Sequence, residues 1–463
     1  MKLLNEKSKA GRGSFNVREL DIETGIPEED QRKDVNLPEL SESEIIRHYT
    51  NLCKSNFGVD NGFYPLGSCT MKYNPRINEV VSKLPGFNIH PFSNYNKGAL
   101  KIIYEIEKLL CEITGMNAFS MQPAAGAHGE LTGIMIMKAY FKKKGEKRTT
   151  VLIPDSAHGT NPASVSLCGF NSIQVKSSSS GGVDLGDLKQ KAGEDVAGLM
   201  ITNPNTLGIF DENILSITKL IHDIGGLCYL DGANMNPMLG IVKPGDLGMD
   251  IMHLNLHKTF STPHGGGGPG SGPVGVIKEL EAFLPGPGIN EELEFEQSSD
   301  SIGRAHPFYG NFGIIVRAYA YIKAIGSEGL RNVAENAVIN ANYMQEKLKK
   351  YYNLPYDRVC QHEFVIDDSL MPNKVTTNDI AKRLIDFGFH PPTIYFPLTV
   401  RGAMMVEPTE TVTKETLDEF IDAMISIKEE AERDPDKLFK APLNAPIGRL
   451  DHVLAARKPK LRW

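Results

Sequence analysis

The sequence predicts an α/β protein whose mostly parallel sheet is covered by helices on both faces. Short apolar runs recur along the chain, and segments with helical periodicity separate them. The runs are apolar at successive positions rather than at alternate ones, which indicates strands buried on both faces. Alternation of such strands with helices is typical of parallel strands joined by helical crossovers.

Residues 1–60 are polar and predict an irregular arm, and the Gly- and Pro-rich residues 62–75 predict a shaped loop. The predicted helices and strands follow in order from about residue 98. Residues 100–114 and 131–143 have the periodicity of helices. The predicted strands are residues 151–153, 172–175, 198–202, 227–230 and 251–254. A helix at 214–223 separates two of these strands, as a crossover would. A long helical region at 314–350 leads to a second, smaller α+β domain.

Charge and hydropathy exclude several classes of protein. The 50 basic and 57 acidic side chains give a net charge of −7, so the chain has no electrostatic reason to bind nucleic acid or an anionic membrane surface. No run approaches the roughly 18 apolar residues that a spanning helix needs. The N-terminus turns polar after Leu3 and Leu4, so it lacks the apolar core of a secretion signal. We therefore expect a cytoplasmic protein.

The cysteines predict neither a metal site nor a disulfide framework. The six cysteines are scattered along the chain, and no Cys-x-x-Cys pair occurs among them. Zinc sites and disulfide-rich folds both need clustered or regularly spaced cysteines. A reducing environment agrees with this pattern.

Three separated segments carry candidate chemistry. Asp231 ends one predicted strand, and Lys258 follows the next strand along the chain. The third segment is the small-residue turn Ala125-Gly126-Ala127 at the start of a predicted helix. Strand-end residues of open α/β sheets face the crevice where ligands bind. We therefore expect the three segments to meet.

A lysine, an aspartate and a glycine-rich helix start suit one cofactor in particular. A lysine can join covalently to an aldehyde cofactor, and an aspartate can hold a protonated pyridine nitrogen. Bare N–H groups at a helix start can bind a phosphate. These are the needs of pyridoxal 5'-phosphate. Taken singly, however, Asp231 is equally read as a strand-end cap, Lys258 as a solvated side chain and the turn as a site of close packing.

Several motifs resemble those of the glycine decarboxylase P-protein family, in order, from about residue 35 to 445. They are Tyr64-Pro-Leu-Gly-Ser-Cys-Thr-Met-Lys-Tyr-Asn-Pro75, Gln122-Pro-Ala-Ala-Gly-Ala-His-Gly-Glu130, Ala157-His-Gly-Thr-Asn-Pro162, Asp231-Gly-Ala-Asn234, Leu256-His-Lys-Thr-Phe260, Pro263-His-Gly-Gly-Gly-Gly-Pro-Gly270 and Glu407-Pro-Thr-Glu410. The resemblance implies the pyridoxal-phosphate-dependent transferase fold, called fold type I. It also implies decarboxylation of glycine, with transfer of the aminomethyl group to the lipoyl-lysine of the H-protein carrier, as part of the glycine cleavage system.

The resemblance also implies partners and a division of the chain. A chain of this length that keeps the lysine resembles the second subunit of the family's split form. We therefore expect a first subunit, with two copies of each in the assembly. The expected division is an N-terminal arm with an active-site loop at 1–95, a large cofactor-binding domain at 96–325, and a C-terminal small domain with a tail at 326–463.

Site roles carried over from the family fall on specific residues. Lys258 resembles the lysine that holds the cofactor, Asp231 the pyridine partner, and Ala125, Gly126 and Ala127 the phosphate turn. His158 is expected to stack on the cofactor ring and to donate a proton, unless it is a core histidine.

Two assignments near the cofactor have structural alternatives. His257 is either a phosphate contact or a packing residue. Thr206 or Asn205 is a candidate to bond the phenolic oxygen of the ring, and a simple turn is the alternative.

The remaining alternatives concern the substrate and the type of enzyme. Arg304 and Arg317 are candidates for the glycine carboxylate, although either is equally an ordinary ion-pair residue. Cys69 is expected either to line the substrate tunnel or simply to be buried. A cysteine desulfurase-like lyase is the alternative enzyme, with Cys360 as its nearest cysteine, and a non-catalytic partner subunit is the other alternative.

Overall fold

The computed structural model describes residues 2–13, 25–32, 36–87 and 96–459. The chain divides into two compact units, Met1–Gly62 and Phe63–Trp463. The helices are α1 (Leu4–Lys7), α2 (Glu42–Lys54), α3 (Arg76–Ser82), α4 (Lys97–Thr114), α5 (Gly126–Lys144), α6 (Thr160–Leu167), α7 (Leu185–Lys191), α8 (Ile214–Asp223), α9 (Leu256–Thr259), α10 (Phe312–Leu348), α11 (Thr377–Asp386), α12 (Lys414–Arg433), α13 (Pro435–Lys440) and α14 (His452–Arg457).

The strands form three sheets. They are β1 (Ala118–Ser120), β2 (Thr150–Pro154), β3 (Asn171–Val175), β4 (Val196–Thr202), β5 (Leu227–Gly232), β6 (Ile251–Leu254), β7 (Val274–Val276), β8 (Gly288–Ile289), β9 (Phe295–Glu296), β10 (Phe364–Asp367), β11 (Thr393–Ile394) and β12 (Ala403–Val406). The order in the main sheet is β1-β7-β6-β5-β4-β2-β3. Neighbours from β6 to β3 pair in parallel, and β7 is antiparallel to both β1 and β6. The mixed, mostly parallel sheet is therefore confirmed.

The main sheet is buried on both faces because successive strand residues enter different cores. In β5, Cys228 and Leu230 pack with α4, α8 and α10, whereas Leu227 and Tyr229 pack with α5 and α6. The same alternation holds in β2, where Leu152 lies in the first core. This two-sided burial explains why the strands read as continuous apolar runs.

The predicted bounds of most elements agree with the structure. The helix at 214–223 and the strand at 251–254 agree in full, and the other predicted strands are one or two residues too short at one or both ends. The predicted helix at 131–143 begins five residues earlier, at Gly126. Residues 62–75 contain no helix or extended strand, as the predicted loop requires.

One expectation for the N-terminal unit is wrong. Residues 1–60 read as irregular, yet α2 is a regular helix of 13 residues. Ser41 Oγ accepts a hydrogen bond from Glu44 N, and Glu44 Oε2 accepts one from Ser41 N at 3.0 Å. This reciprocal pair is a capping box, which starts a helix even in a polar sequence.

The C-terminal part of the larger unit has its own sheet and core. Strands β10, β12 and β11 pair antiparallel in that order, and α11, α12 and α13 contribute to the core packed against them. Helix α10 is broken at Gly326, where φ is 65° and ψ is −174°. The break falls at the predicted boundary between residues 325 and 326, and the threefold division of the chain stays a prediction.

No helix in the described ranges is both long enough and apolar enough to cross a membrane.

Candidate active site

A cavity of about 240 Å³ opens at the carboxyl ends of β4, β5 and β6. Parallel pairing places Thr202 opposite Asp231 and Asp231 opposite His253, so the strand ends meet at one edge of the sheet. Most of the predicted site residues line this cavity. Its lining residues are Ser68, Gly126, Ala127, Glu130, His158, Thr160, Thr202, Thr206, Asp231, Ala233, His253, Asn255, His257 and Lys258.

Asp231 is a buried carboxylate with a full set of donors. Asn161 Nδ2 donates to Oδ2 at 3.0 Å, and Ala233 N donates to Oδ1 at 3.0 Å. His253 Nε2 lies 3.3 Å from Oδ1. Burial opposes ionisation, but His253, Asn161, Ala233 and Lys258 outweigh it and lower the pKa of Asp231. The residue is therefore an anion held ready at the base of the cavity.

Lys258 reaches the same cavity from the short helix α9, which follows β6 directly. Its Nζ donates to the carbonyl oxygen of Ser68 at 2.8 Å. Lys258 and Asp231 also interact electrostatically. The expectation that Lys258 is a solvated surface residue does not fit this placement.

The start of α5 forms an uncapped helix end at the cavity. Ala125 precedes the helix in an extended conformation, and no side chain caps the first turn. The first N–H groups of a helix have no partner within it. A Cβ on Gly126 would lie 2.5 Å from Asn255 Nδ2, so only glycine permits this close approach. Gly126 and Ala127 line the cavity, and Ala125 precedes them.

His158 lies exposed at the cavity wall instead of in the core. Its Nδ1 lies 2.8 Å from the Thr160 hydroxyl oxygen and 3.3 Å from Thr160 N, so Thr160 fixes the orientation of the ring. The Thr160 hydroxyl donates to Glu130 Oε1 at 2.8 Å. An accessible, oriented imidazole of this kind is able to stack on a ring and to donate a proton.

Of the two candidates after β4, only Thr206 lines the cavity. Its Oγ1 donates to the carbonyl of Ser156 at 2.5 Å. Asn205 serves its own turn, since its Oδ1 accepts from Leu207 N and Ile209 N. The turn alternative therefore describes Asn205. For Thr206, donation to a ring oxygen requires release of Ser156.

His257 is held as a neutral ring beside the helix start. Burial, followed by the nearby His264 and Lys258, lowers the pKa of His257 to about 3. Its Nδ1 accepts from Ser271 N at 3.3 Å, and its Nε2 lies 3.4 Å from Asn255 Nδ2. The neutral ring lines the cavity.

Two known protein families match the sequence. Residues 14–293 match the family described as glycine cleavage system P-protein, and residues 333–444 match the glycine dehydrogenase C-terminal domain. The chain belongs to the glycine cleavage system P-protein family. Within this P-protein family, relatives named probable glycine dehydrogenase (decarboxylating) subunit 2 include those of Caldanaerobacter subterraneus and Halalkalibacterium halodurans. Each is 56% identical, over 100% of this chain and 98% of the relative.

Solved structures share the fold of this P-protein family member. A crystal structure of a P-protein in inhibitor-bound form aligns with a TM-score of 0.73 and 20% identity, over 88% of this chain and 93% of that one. A cysteine desulfurase from Thermococcus onnurineus aligns at 0.61 with 14% identity, over 80% and 95%. The chain therefore has the fold of pyridoxal-phosphate-dependent transferases, fold type I.

In this P-protein family chain, Cys360 does not suit the reaction of a cysteine desulfurase. Cys360 is buried in the C-terminal core, where its N–H donates to Asn342 Oδ1. Burial raises the pKa of its thiol. A buried, protonated thiol in a packed core is not the mobile nucleophile that such a lyase needs.

The remaining candidates are Arg317, Cys69 and Arg304. Arg317 makes a two-point ion pair with Glu79, at 2.7 and 2.9 Å, so the ordinary ion-pair alternative describes it. Burial raises the pKa of the Cys69 thiol to about 11. Arg304 is exposed and lies outside the cavity lining.

A larger cavity of about 620 Å³, beside Glu107 and Tyr309, contains none of the predicted site residues.

The sequence analysis did not identify three polar residues in or beside the cavity: His253, Asn161 and Thr202. His253 lies in the middle of an apolar strand, and its Nδ1 is 2.8 Å from the Tyr229 hydroxyl. Asn161 orients Asp231, and the Oγ1 of buried Thr202 has no partner in the described part of the chain. The one signal in the sequence was a polar residue within an apolar strand. His253 is such a residue in β6, and Thr202 is one in β4.

Proposed function

We propose that this chain decarboxylates glycine with pyridoxal phosphate and passes the aminomethyl group to the lipoyl-lysine of an H-protein carrier. The single observation that carries the proposal is the meeting of Lys258 and ionised Asp231 in one cavity. A silent subunit has no physical need for either residue there. The names of the relatives point to the same activity.

The donor set of the cavity fits pyridoxal phosphate. Lys258 supplies the amine for covalent attachment, and the uncapped start of α5 supplies N–H groups for the phosphate. Asp231 supplies a buried anion for the ring nitrogen. The unpartnered Oγ1 of Thr202 is a further polar atom without a protein partner, as expected where a ligand completes the site.

The residues of the chain fix orientation and charge for the reaction. When bound, pyridoxal phosphate supplies a ring that accepts the electron pair left when the glycine carboxylate departs. Asp231 keeps a proton on the ring nitrogen, because an ionised carboxylate in a buried site strongly favours the protonated partner. His253 and Asn161 hold Asp231 in place. His158 lies at the accessible wall, where Thr160 orients its ring.

The family form with two kinds of subunit implies a partner chain. We propose a first subunit of related fold, with two copies of each chain in the assembly, and the H-protein as the transient partner. The name "subunit 2" of the relatives supports a partner subunit.

The test is glycine-dependent exchange of labelled carbon dioxide, with lipoylated carrier, in the presence and absence of a co-expressed first subunit. We expect exchange that depends on glycine, on carrier and on added pyridoxal phosphate. A chain that binds the first subunit but neither binds pyridoxal phosphate nor supports exchange would instead be a non-catalytic partner.

A further inference from the structure

Two glutamates that the proposed function does not use lie buried near Lys258. Glu363 directly precedes β10 and Glu407 directly follows β12. Because Phe364 pairs with Val406, the antiparallel register brings the two side chains together. They are 0% and 1% exposed. Two buried carboxylates so close need strong local donors to persist.

Most of the donors come from a single turn in the loop of residues 62–75. Ser68 N donates to Glu363 Oε2 at 2.6 Å. Cys69 N and Thr70 N donate to Glu407 Oε2 at 3.1 and 2.8 Å, and the Thr70 hydroxyl donates to Oε1 at 2.5 Å. Three successive N–H groups thus form a concave anion nest around the carboxylate pair.

The turn adopts a conformation that depends on these acceptors. Ser68 has φ of 62° and Thr70 has φ of 50°, values that residues with side chains rarely adopt. A Cβ on Gly67 would lie 2.3 Å from the side chain of Met405, so the turn packs directly on β12. Thr393 Oγ1 also donates to Gly67 O at 2.8 Å. The C-terminal sheet and its carboxylates therefore shape the turn.

The same turn receives the amine of Lys258. The backbone of Ser68 makes two hydrogen bonds. Its N–H donates to Glu363, and its carbonyl accepts from Lys258 Nζ at 2.8 Å. We propose that Glu363 and Glu407 are positioning residues which, through the Ser68–Thr70 turn, fix the carbonyl that holds the Lys258 amine whenever it is not joined to the cofactor. The proposal rests on the proposed function only for the role of Lys258.

The hydrogen bonds assign one proton to the carboxylate pair. Burial raises the pKa of both glutamates, and the charge of Glu407 raises that of Glu363 further. Glu407 accepts three hydrogen bonds from the turn, whereas Glu363 accepts one from Ser68 N and a longer one from Asn234 Nδ2. Donors favour the ionised form, so Glu407 is the anion and Glu363 holds the proton.

The other titratable groups around the pair leave this charge state in place. Lys258 lowers the pKa of both glutamates but does not cancel the effect of burial. His362 Nε2 lies 4.0 Å from Glu363 Oε1 and 3.8 Å from Glu407 Oε1, and burial lowers the pKa of this ring to about 3. Burial raises the pKa of the Cys69 and Cys360 thiols. The pair therefore presents one negative charge toward Lys258.

The test separates the charge of the pair from simple packing. Full-length chain without cofactor is treated with a small amine-acylating reagent, and the rate at Lys258 is followed by mass spectrometry from neutral to alkaline pH. Glu407→Gln removes the anion, and we expect Lys258 to react about tenfold faster near neutral pH, since loss of a nearby opposite charge shifts an amine's titration by roughly one unit or more. Glu363→Gln keeps the single charge, so its neutral-pH rate should stay at the wild-type value.

The matched control is Glu432→Gln, which alters an exposed glutamate on α12. Lys258 should keep the wild-type profile in that variant. Glu363→Gln and Glu407→Gln could lose thermal stability equally while the pH dependence of acylation at Lys258 stays unchanged in both. That result would overturn the proposal and show that the pair only stabilises the core. That result leaves cofactor attachment at Lys258 untouched, so failure of this proposal is distinct from failure of the proposed function.

A second measurement keeps the proposal testable if Glu407→Gln does not fold. The raised pKa of Glu363 means that the protonated form stabilises the fold at low pH, and that this stabilisation is lost as the pH rises through the folded-state value. Glu363→Gln cannot take the second charge. Its melting temperature should therefore rise relative to wild type on the alkaline side, and parallel pH curves would overturn the assignment.

Discussion

Asp231 shows how a single buried carboxylate is kept ionised. Its two oxygens receive an amide N–H, a backbone N–H and a close imidazole, and the Lys258 amine acts on it electrostatically. Each of these groups favours the charged form, and together they overcome the cost of burial. An anion made in this way is able to hold a proton on a ring nitrogen throughout turnover.

Replacement of Asp231 by alanine should lower activity far more than it lowers folding. We expect a loss of roughly 3–4 kcal/mol of transition-state stabilisation, about a hundred- to thousandfold in rate at equal cofactor occupancy. The measurement is kcat/KM for the glycine-dependent exchange, with occupancy checked by absorbance. A loss below about tenfold would identify Asp231 as a strand-end cap only.

The lowered pKa of Asp231 also predicts how the stability of the fold depends on pH in the acid range. Because the folded-state pKa of Asp231 lies below its ordinary value of 3.8, the ionised form stabilises the fold above that pH, and the stabilisation is lost as the pH falls through the folded-state value. In acid unfolding curves, the stability difference between wild type and Asp231→Asn should shrink as the pH falls. A constant difference would contradict the assigned ionisation.

At this scale the sequence predicted which residues line the cavity but not the side chains that orient them. Lys258, Asp231 and His158 stand at strand ends, where position alone suggests a site. His253 and Asn161 were missed because their roles depend on pairing between β5 and β6 and on packing of α6. Residue type carries no signal of which neighbour a side chain will meet in three dimensions.

Among the elements, helix α5 has two chemically different ends. Its first turn is open, its C-terminus ends in Gly145 with positive φ, and three lysines lie in its last turn. This charge distribution agrees with the helix dipole, which leaves the N-terminal end free for an anion. The close approach of Gly126 to Asn255 holds that end against the sheet.

Gly126→Ala should weaken pyridoxal phosphate binding by at least about tenfold, because the new methyl group would displace Asn255 or the helix start. Absorbance titration of the chain with pyridoxal phosphate measures the effect. Gly98→Ala is the matched control, since that glycine lies exposed in α4 with open space around it. Equal affinities in the two variants would show that the start of α5 does not bind the phosphate.

Prediction of the elements succeeded where apolar runs were clear and failed where such runs were hidden or too short. The helix at 214–223 and the strand at 251–254 were bounded correctly because apolar runs mark them clearly. Helix α2 was missed because polar composition hid its capping box. Strands β8 and β9 have two residues each, too few for any pattern.

Over the whole molecule, the site joins parts of the chain that lie far apart in sequence. Ser68 and Thr70 bond to Glu363 and Glu407, and Lys72 from the same loop forms a buried ion pair with Glu410 at 2.8 Å. The loop thus connects the C-terminal sheet to the cavity of Lys258. Such long-range contacts follow from the completed fold and could not be predicted from local pattern.

The most direct measurement is borohydride fixation of pyridoxal phosphate to the full-length chain, followed by peptide mapping. We expect a single labelled residue, Lys258, and loss of the label in Lys258→Ala. The control variant Lys278→Ala, which alters an exposed lysine, should keep it. A label on another lysine, or one that persists in Lys258→Ala, would contradict the assignment of this cavity as the cofactor site.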